Sequence, residues 1–412
     1  MGFKVLGDGG VATPVGFQAA GIVAGLKRSG APDMALIHST VPATVAGAFT
    51  TNAFAAAPVV YDQRIIATGG DVRSVIVNSG NANACTGAQG DADATAMAAH
   101  VAEQLGVTAD EVLVSSTGRI GVPMPMGIIL SGIEKAAAGL DSGDAASAQV
   151  AAAIMTTDTR PKALAVELTV AGRTVRIGGM TKGAGMINPA MKMQPPQATM
   201  LAYVTTDAAV SREALDICLG RSLDQSFNRI TVDGDTSTND TFLALANGLA
   251  GNETLQPDSP DFPAFAEAFA FLVGRLAKEM VLDGEGVTRF VELNVTGAKD
   301  DDEARICADA IANSALCKTA WFGADPNWGR VLCAAGYSGV ALDTKQVSLD
   351  YQDVPIVRGG MDAGTPEVEQ VKAISRREFR IDLDLGVGDG AFTVWTCDLT
   401  YEYVKINADY HT

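Results

Sequence analysis

The chain has 412 residues, 47% hydrophobic and 19% charged, a balance that suits a folded globular protein and excludes disordered and collagen-like classes. A formal net charge of -18 with no basic patch would repel a nucleic-acid backbone or an anionic membrane, so neither is expected as a partner. At about 150 residues per domain, the length suggests two or three domains.

In chain order, short β-rich apolar runs at 34–38 (MALIH), 58–61 (PVVY), 74–78 (SVIVN) and 112–116 (VLVSS) alternate with alanine-rich stretches. The latter predict helices near 92–105, 127–140 and 144–155, the first ending at a glycine suited to cap it. Leu164, Val166, Leu168 and Val170 alternate with polar neighbours, and AGR at 171–173 turns the chain back into TVRIGG, a hairpin. The glycine-rich segment 178–193, GGMTKGAGMINPAMKM, reads as a loop that QPPQ extends, and TMLAYV at 199–204 reads as a buried strand. Helices follow near 211–220 and 262–280, and a third starts at KDDDEAR, where carboxylates suit the positive end of a helix dipole. Strands are expected at 289–295, 379–385 and 391–406, the last with Trp395, Cys397, Leu399, Tyr401 and Tyr403 on one face. The ordering predicts a mixed α/β fold with a largely antiparallel sheet component flanked by helices.

Cys85, Cys218, Cys307, Cys317, Cys333 and Cys397 form no C-x-x-C pair, so they read as buried thiols in a reducing compartment. Three scattered histidines, His38, His100 and His411, offer little to a metal site, and no metal is expected. No apolar run has the length of a membrane span and MGFKVLGDGG is no signal peptide, so the expected location is the cytoplasm.

Thr199 stands where the loop enters the strand. A threonine hydroxyl is a weak nucleophile, and freeing its own α-amine by cutting the preceding bond supplies an adjacent base with a pKa of about 7.7–8.0. Ala198 is small enough to let the hydroxyl reach the carbonyl, and Pro195-Pro196 keeps the approach extended. On the residues alone, an ordinary Ala-Thr pair at a strand start is the stronger reading.

The blocks NSGNANACTG, SSTGRIG, GGMTKGAGMINPAM, ATMLAY, SFNRITVDGDTSTND, LDGEGVTR, FGADPNWGR and KINADYHT run in order from residue 78 to the last residue. In these the chain resembles the bifunctional ornithine acetyltransferase/glutamate N-acetyltransferase family. The resemblance implies an αββα-type sandwich like that of N-terminal-nucleophile enzymes, in two lobes. It also implies self-cleavage between Ala198 and Thr199 into an α chain (1–198) and a β chain (199–412), assembled as two α and two β. Thr199 would take an acetyl group from N-acetylornithine and pass it to glutamate by ping-pong. No cofactor is implied, and acetyl-CoA is a co-substrate in many members.

The resemblance carries further roles over. Thr117 and Gly118 match the oxyanion hole; Thr156, next to the similar Thr157, matches a substrate-binding threonine. Lys182 matches the lysine that meets the substrate carboxylate, Glu285 the acidic residue suited to the δ-ammonium of ornithine, and Asn407 and Thr412 further substrate ligands. From the residues alone these same positions read as a turn after VLVSS, a solvated loop lysine, a D-G-E-G turn and a polar tail. Asp233, Asp235, Asp325, Asn327 and Trp328 read as loop scaffolding that hydrogen-bonds backbone around the site. MKMQPPQ makes the loop before ATML longer than the family pattern. Two other functions fit the same framework: an amidohydrolase or aminopeptidase with water as acyl acceptor, and a non-catalytic amino-acid-binding protein.

Overall fold

A computed structural model describes residues 2–193 and 200–409, so the QPPQ extension, Ala198, Thr199 and Thr412 lie outside the described residues. The fold is mixed α/β, and the described chain forms two compact units, one made of 2–228 with 236–280 and the other of 229–235 with 281–409.

The first unit contains β1 (Phe3–Leu6), β2 (Phe17–Ile22), β3 (Met34–Phe49), α1 (Ala57–Ala67), β4 (Val72–Asn81), α2 (Gly87–Leu105), β5 (Val112–Arg119), α3 (Met126–Ala138), α4 (Asp144–Ala153), β6 (Lys162–Val170), β7 (Arg173–Lys182), β8 (Leu201–Thr206), α5 (Arg212–Asp224), β9 (Thr241–Ala246) and α6 (Phe262–Leu282). Its strands run in the order β1-β6-β7-β8-β9-β3-β4-β5, with β2 also on β3. The long β3 serves both halves of this open sheet: Met34–His38 pairs with β2 and β4, whereas Thr44–Phe49 pairs with β9. The changeover falls around Pro42, which has no N–H to donate to a ladder. Val75, Ile76 and Leu113 from one half share a buried cluster with Met180, Leu201, Tyr203 and Leu243 from the other. Most pairs are antiparallel; β4 with β5 and β8 with β9 are parallel.

The predicted helices appear as α2, α3 and α4, and Gly106 at φ 65° caps α2. The predicted hairpin is β6–β7, with Ala171 at φ 47° and Gly172 at φ 73° in its two-residue turn, the left-handed pair a tight hairpin requires. Two expectations are corrected. PVVY lies in α1 and not in a strand, because Pro58 occupies the first turn, where a helix loses no hydrogen bond to it. GGMTK at 178–182 continues β7 and is not loop. A Cβ on Gly178 would lie 1.9 Å from the Gly10 carbonyl oxygen, and one on Gly179 2.6 Å from Leu272 on α6, so these glycines admit close neighbours to a strand.

The second unit contains β10 (Phe290–Ala298), α7 (Asp301–Ala312), α8 (Ala315–Phe322), α9 (Trp328–Tyr337), β11 (Ser348–Tyr351), β12 (Val354–Arg358), β13 (Met361–Asp362), α10 (Glu367–Ile374), β14 (Glu378–Asp384), β15 (Gly390–Cys397) and α11 (Tyr401–Asp409). Its sheet runs β13-β12-β11-β14-β10-β15. Alternation puts Phe379, Ile381 and Leu383 of β14 into a core with Val291, Leu293 and Val295 of β10 and with Cys307 and Ile311 of α7. Asp300 caps α7 by accepting from Glu303 N at 2.9 Å, with Asp301 and Asp302 in the first turn, as KDDDEAR predicts.

The long strand expected at 391–406 is corrected as well. β15 stops at Cys397, Asp398 turns to accept from Thr288 N and Arg289 N at 3.0 Å each, and Thr400 Oγ1 caps α11 by accepting from Tyr403 N at 3.2 Å. Tyr401 and Tyr403 therefore stand on a helix. Of the six thiols expected to be buried, Cys85 and Cys333 are exposed. Among the described residues no helix is long and apolar enough to cross a membrane.

Candidate active site

Lys182 ends β7 and is 4% exposed, which rules out the solvated loop lysine. Its Nζ donates to Thr156 Oγ1 at 2.9 Å and to Thr117 Oγ1 at 3.3 Å. Three residues separated by up to 65 positions thus converge in the first unit, and Thr156, rather than Thr157, supplies the hydroxyl.

The sequence reading missed the residue that knots this group together. Asp158 Oδ2 accepts from Thr156 N at 2.9 Å, while Oδ1 accepts from Gly183 N and from Lys162 Nζ, each at 2.7 Å. Burial alone would raise this carboxyl; the charges of Lys182 and Lys162, with the hydrogen bonds from Lys162 and Gly183, outweigh it and hold the group down at about 2. Asp158 is therefore a carboxylate at neutral pH, and it ties the backbone N–H of Thr156 and that of Gly183, the residue after Lys182, to one charge. Asp240, just before β9, behaves oppositely: burial pushes its carboxyl well above the usual range despite the opposing charge of Lys182.

Thr117 and Gly118 close β5, in register with Ser79 and Gly80 of β4. Gly118 sits at φ 131°, and a Cβ there would lie 2.4 Å from the Gly80 carbonyl carbon and 2.6 Å from Asn81 N. Only glycine fits this approach. Gly118→Ala is expected to displace the strand end and to lower kcat on the order of 10²- to 10³-fold, the loss typical of an oxyanion donor. Steady-state kinetics on the purified variant check this, and a kcat within threefold of the parent counts against the role.

The asparagines of NSGNANACTG explain why that block is asparagine-rich. Ser116 Oγ donates to Asn78 Oδ1 at 2.6 Å, Asn78 Nδ2 donates to the Asn81 carbonyl at 2.8 Å, and Asn81 Nδ2 donates to the Val122 carbonyl at 3.0 Å. Side-chain amides satisfy the buried backbone where β4 and β5 stop pairing. Asn83 and Cys85 adopt φ of 47° and 56° in the turn that follows.

In the second unit, Asn407 on α11 donates from Nδ2 to Glu285 Oε2 at 2.6 Å and to the Tyr403 carbonyl at 3.0 Å. Glu285 is 7% exposed, and the KINAD segment forms the end of α11 rather than a polar tail. If Glu285 meets the substrate's ammonium, as the resemblance implies, Glu285→Gln is expected to raise the substrate KM about 10- to 100-fold with a small change in kcat, the scale of a lost charge-assisted bond. Unchanged kinetics would remove Glu285 from the site. Of the expected scaffolding, Asn327 caps α9 by accepting from Arg330 N, Asp325 accepts from Asn327 Nδ2 at 3.0 Å, and Asp233 accepts from Asp235 N and from the Tyr403 hydroxyl, each at 3.2 Å. Ala198, Thr199 and Thr412 are outside the described residues.

A model of the ArgJ family matches residues 18–412. The arginine biosynthesis bifunctional protein ArgJ of Symbiobacterium thermophilum is 49% identical over 406 residues, 98% of this chain and 99% of its own. That of Geobacter sulfurreducens is 50% identical over 398 residues, 96% and 99% of the two. Among solved structures, the arginine biosynthesis bifunctional protein argJ from Bacillus halodurans superposes with a TM-score of 0.50 at 43% identity, covering 52% of this chain and 100% of that one. The chain belongs to the ArgJ family.

Proposed function

We propose that this ArgJ-family acetyltransferase of arginine biosynthesis moves the acetyl group of N2-acetyl-L-ornithine to L-glutamate through an acetyl ester on Thr199. The observation that carries the reading is the buried group of Lys182, Thr156 and Thr117. It supports a carboxylate site beside oxyanion donors, and Lys182 is in register with Leu201, two residues beyond Thr199.

Cleavage after Ala198 frees the α-amine of Thr199, which takes the hydroxyl proton as Oγ1 attacks the acetyl carbonyl. The C–O bond forms and the carbonyl oxygen becomes an oxyanion facing Thr117 and Gly118. Collapse breaks the C–N bond while the proton passes from the α-amine to the departing ornithine amine. The glutamate amine then attacks the ester, gives its proton to the α-amine, and the proton returns to Oγ1 as the ester breaks. Lys182 and Thr156 meet the amino-acid carboxylate; Glu285, with Asn407, meets the δ-ammonium of ornithine, and Thr412 is a further ligand.

The chain from Bacillus halodurans supports cleavage, since it is matched in full yet spans 52% of this one, as a product of a cut near 198/199 would. Two α and two β pieces in the cytoplasm complete the reading, and the word "bifunctional" in the relatives' name fits acetyl-CoA as a second donor. The test supplies acetylornithine with and without glutamate and follows acetylglutamate and acetate. Glutamate-dependent acetylglutamate supports transfer; acetate release alone establishes a hydrolase instead.

A further inference from the structure

The three residues before β9, Thr238, Asn239 and Asp240, are all buried. Asn239 Nδ2 donates to the Ser116 carbonyl at 2.8 Å and to the Ala82 carbonyl at 2.5 Å, while Thr238 Oγ1 donates to Asn239 Oδ1 at 2.6 Å. The hydroxyl occupies the acceptor end of the amide, so the donor end must face the two carbonyls. The Ser116 carbonyl belongs to the same planar peptide unit as the Thr117 N–H, and Ala82 directly follows β4. Holding that oxygen fixes the plane of the peptide and the direction in which Thr117 leaves the strand. On the other side Thr241, the first residue of β9, donates from N to the Met200 carbonyl at 2.6 Å and is in register with Leu201. One amide side chain therefore joins the ends of β4 and β5 to the pair of strands that begins at β8.

We propose that Asn239 is a positioning residue for acetyl transfer: by clamping the carbonyls of Ser116 and Ala82 it sets Thr117 and Gly118 against the strand that follows the nucleophile. This rests on Thr117 and Gly118 being the oxyanion donors. Asn239 acts through the backbone carbonyls of Ser116 and Ala82. Its effect is on the geometry of donors whose misplacement by about 1 Å costs on the order of 10²-fold in rate.

Kinetics are measured on Asn239→Ala and Asn239→Asp as full-length precursors, with rates normalised to the cleaved fraction by denaturing mass analysis and ornithine affinity read by calorimetry. Asn239→Ala is expected to lose on the order of 10²-fold in kcat while KM for acetylornithine and the ornithine Kd stay within threefold. Asn239→Asp presents a carboxylate to two carbonyl oxygens, so it should be slower than the alanine variant at pH 8. It should gain relative to that variant as pH falls to 6 and the carboxylic acid can donate. Asn239→Ser keeps one donor and is expected between parent and alanine, which preserves the test should the alanine variant not fold. A kcat for Asn239→Ala within threefold of parent, or a loss carried by ornithine affinity, overturns the proposal. Gly118→Ala, run alongside, separates the two failures. If it loses kcat and Asn239→Ala does not, only the positioning role fails; if it keeps kcat, the oxyanion reading fails and the proposal with it.

Discussion

Thr199→Ala is expected to stay a single uncut chain and to lose turnover by on the order of 10⁴- to 10⁶-fold, the scale of removing a catalytic nucleophile. Two steps are assigned to one oxygen, so the variant should fail at both. Without Oγ1 the bond after Ala198 has no internal attacker, and without the cut the α-amine remains an amide nitrogen, which is no base. Thr199→Ser keeps the hydroxyl and should retain slower cleavage and partial turnover. Denaturing mass analysis after prolonged incubation reads cleavage, and acetylglutamate formation reads turnover. Substantial turnover from the alanine variant would remove Thr199 from the mechanism.

Asp158→Asn should cost about 3–5 kcal/mol of stability, because the Asp158 and Lys162 side chains are both fully buried and the substitution breaks their ion pair. For a unit of this size that corresponds to a fall in Tm of roughly 10 °C. Pairing Asp158→Asn with Lys162→Met should recover much of the loss, since both charges of the broken pair are then gone. The pH dependence has a definite sign. The folded pKa of about 2 lies below the ordinary aspartate value of about 3.9, so the contribution is complete above about pH 4 and disappears as pH falls toward 2. Parent and variant should differ in Tm at pH 7 and converge near pH 2. Equal Tm values at pH 7 would show that the carboxylate stabilises nothing. KM for acetylornithine should rise as well, since the Thr156 and Gly183 N–H groups share one carboxylate.

Local signals were legible where the chain settles its own geometry. Ala171-Gly172 between alternating apolar residues can only be a hairpin turn, and three acids ahead of an apolar periodicity start a helix. Misreadings came where two local rules compete. Val59 and Val60 favour a strand, but Pro58 ahead of them favours a first helical turn, and the turn won. Gly178 and Gly179 looked like breakers because the sequence does not reveal that Leu272 and the Gly10 carbonyl press on those positions. Alternation continued past Thr400, so its cap on α11 was hidden inside an apparent strand. The site followed the same division. Thr117, Gly118, Thr156 and Lys182 became candidates through motifs, whereas no motif singles out Asp158. Asn239 lies inside the block SFNRITVDGDTSTND with no role of its own assigned. Their importance lies in backbone groups that no spacing rule names.

The proposed cut has a mechanical consequence that follows from strand order. β7 lies before position 198 and β8 after it, yet the two are sheet neighbours, and β3 from the leading piece pairs with β9 from the trailing piece. Scission would remove one covalent link from an interleaved ladder without exposing either edge. The fragments should co-purify and melt together, in the manner of a nicked protein rather than a dissociable complex. Either fragment made alone would present open strand edges to solvent, an invitation to aggregate.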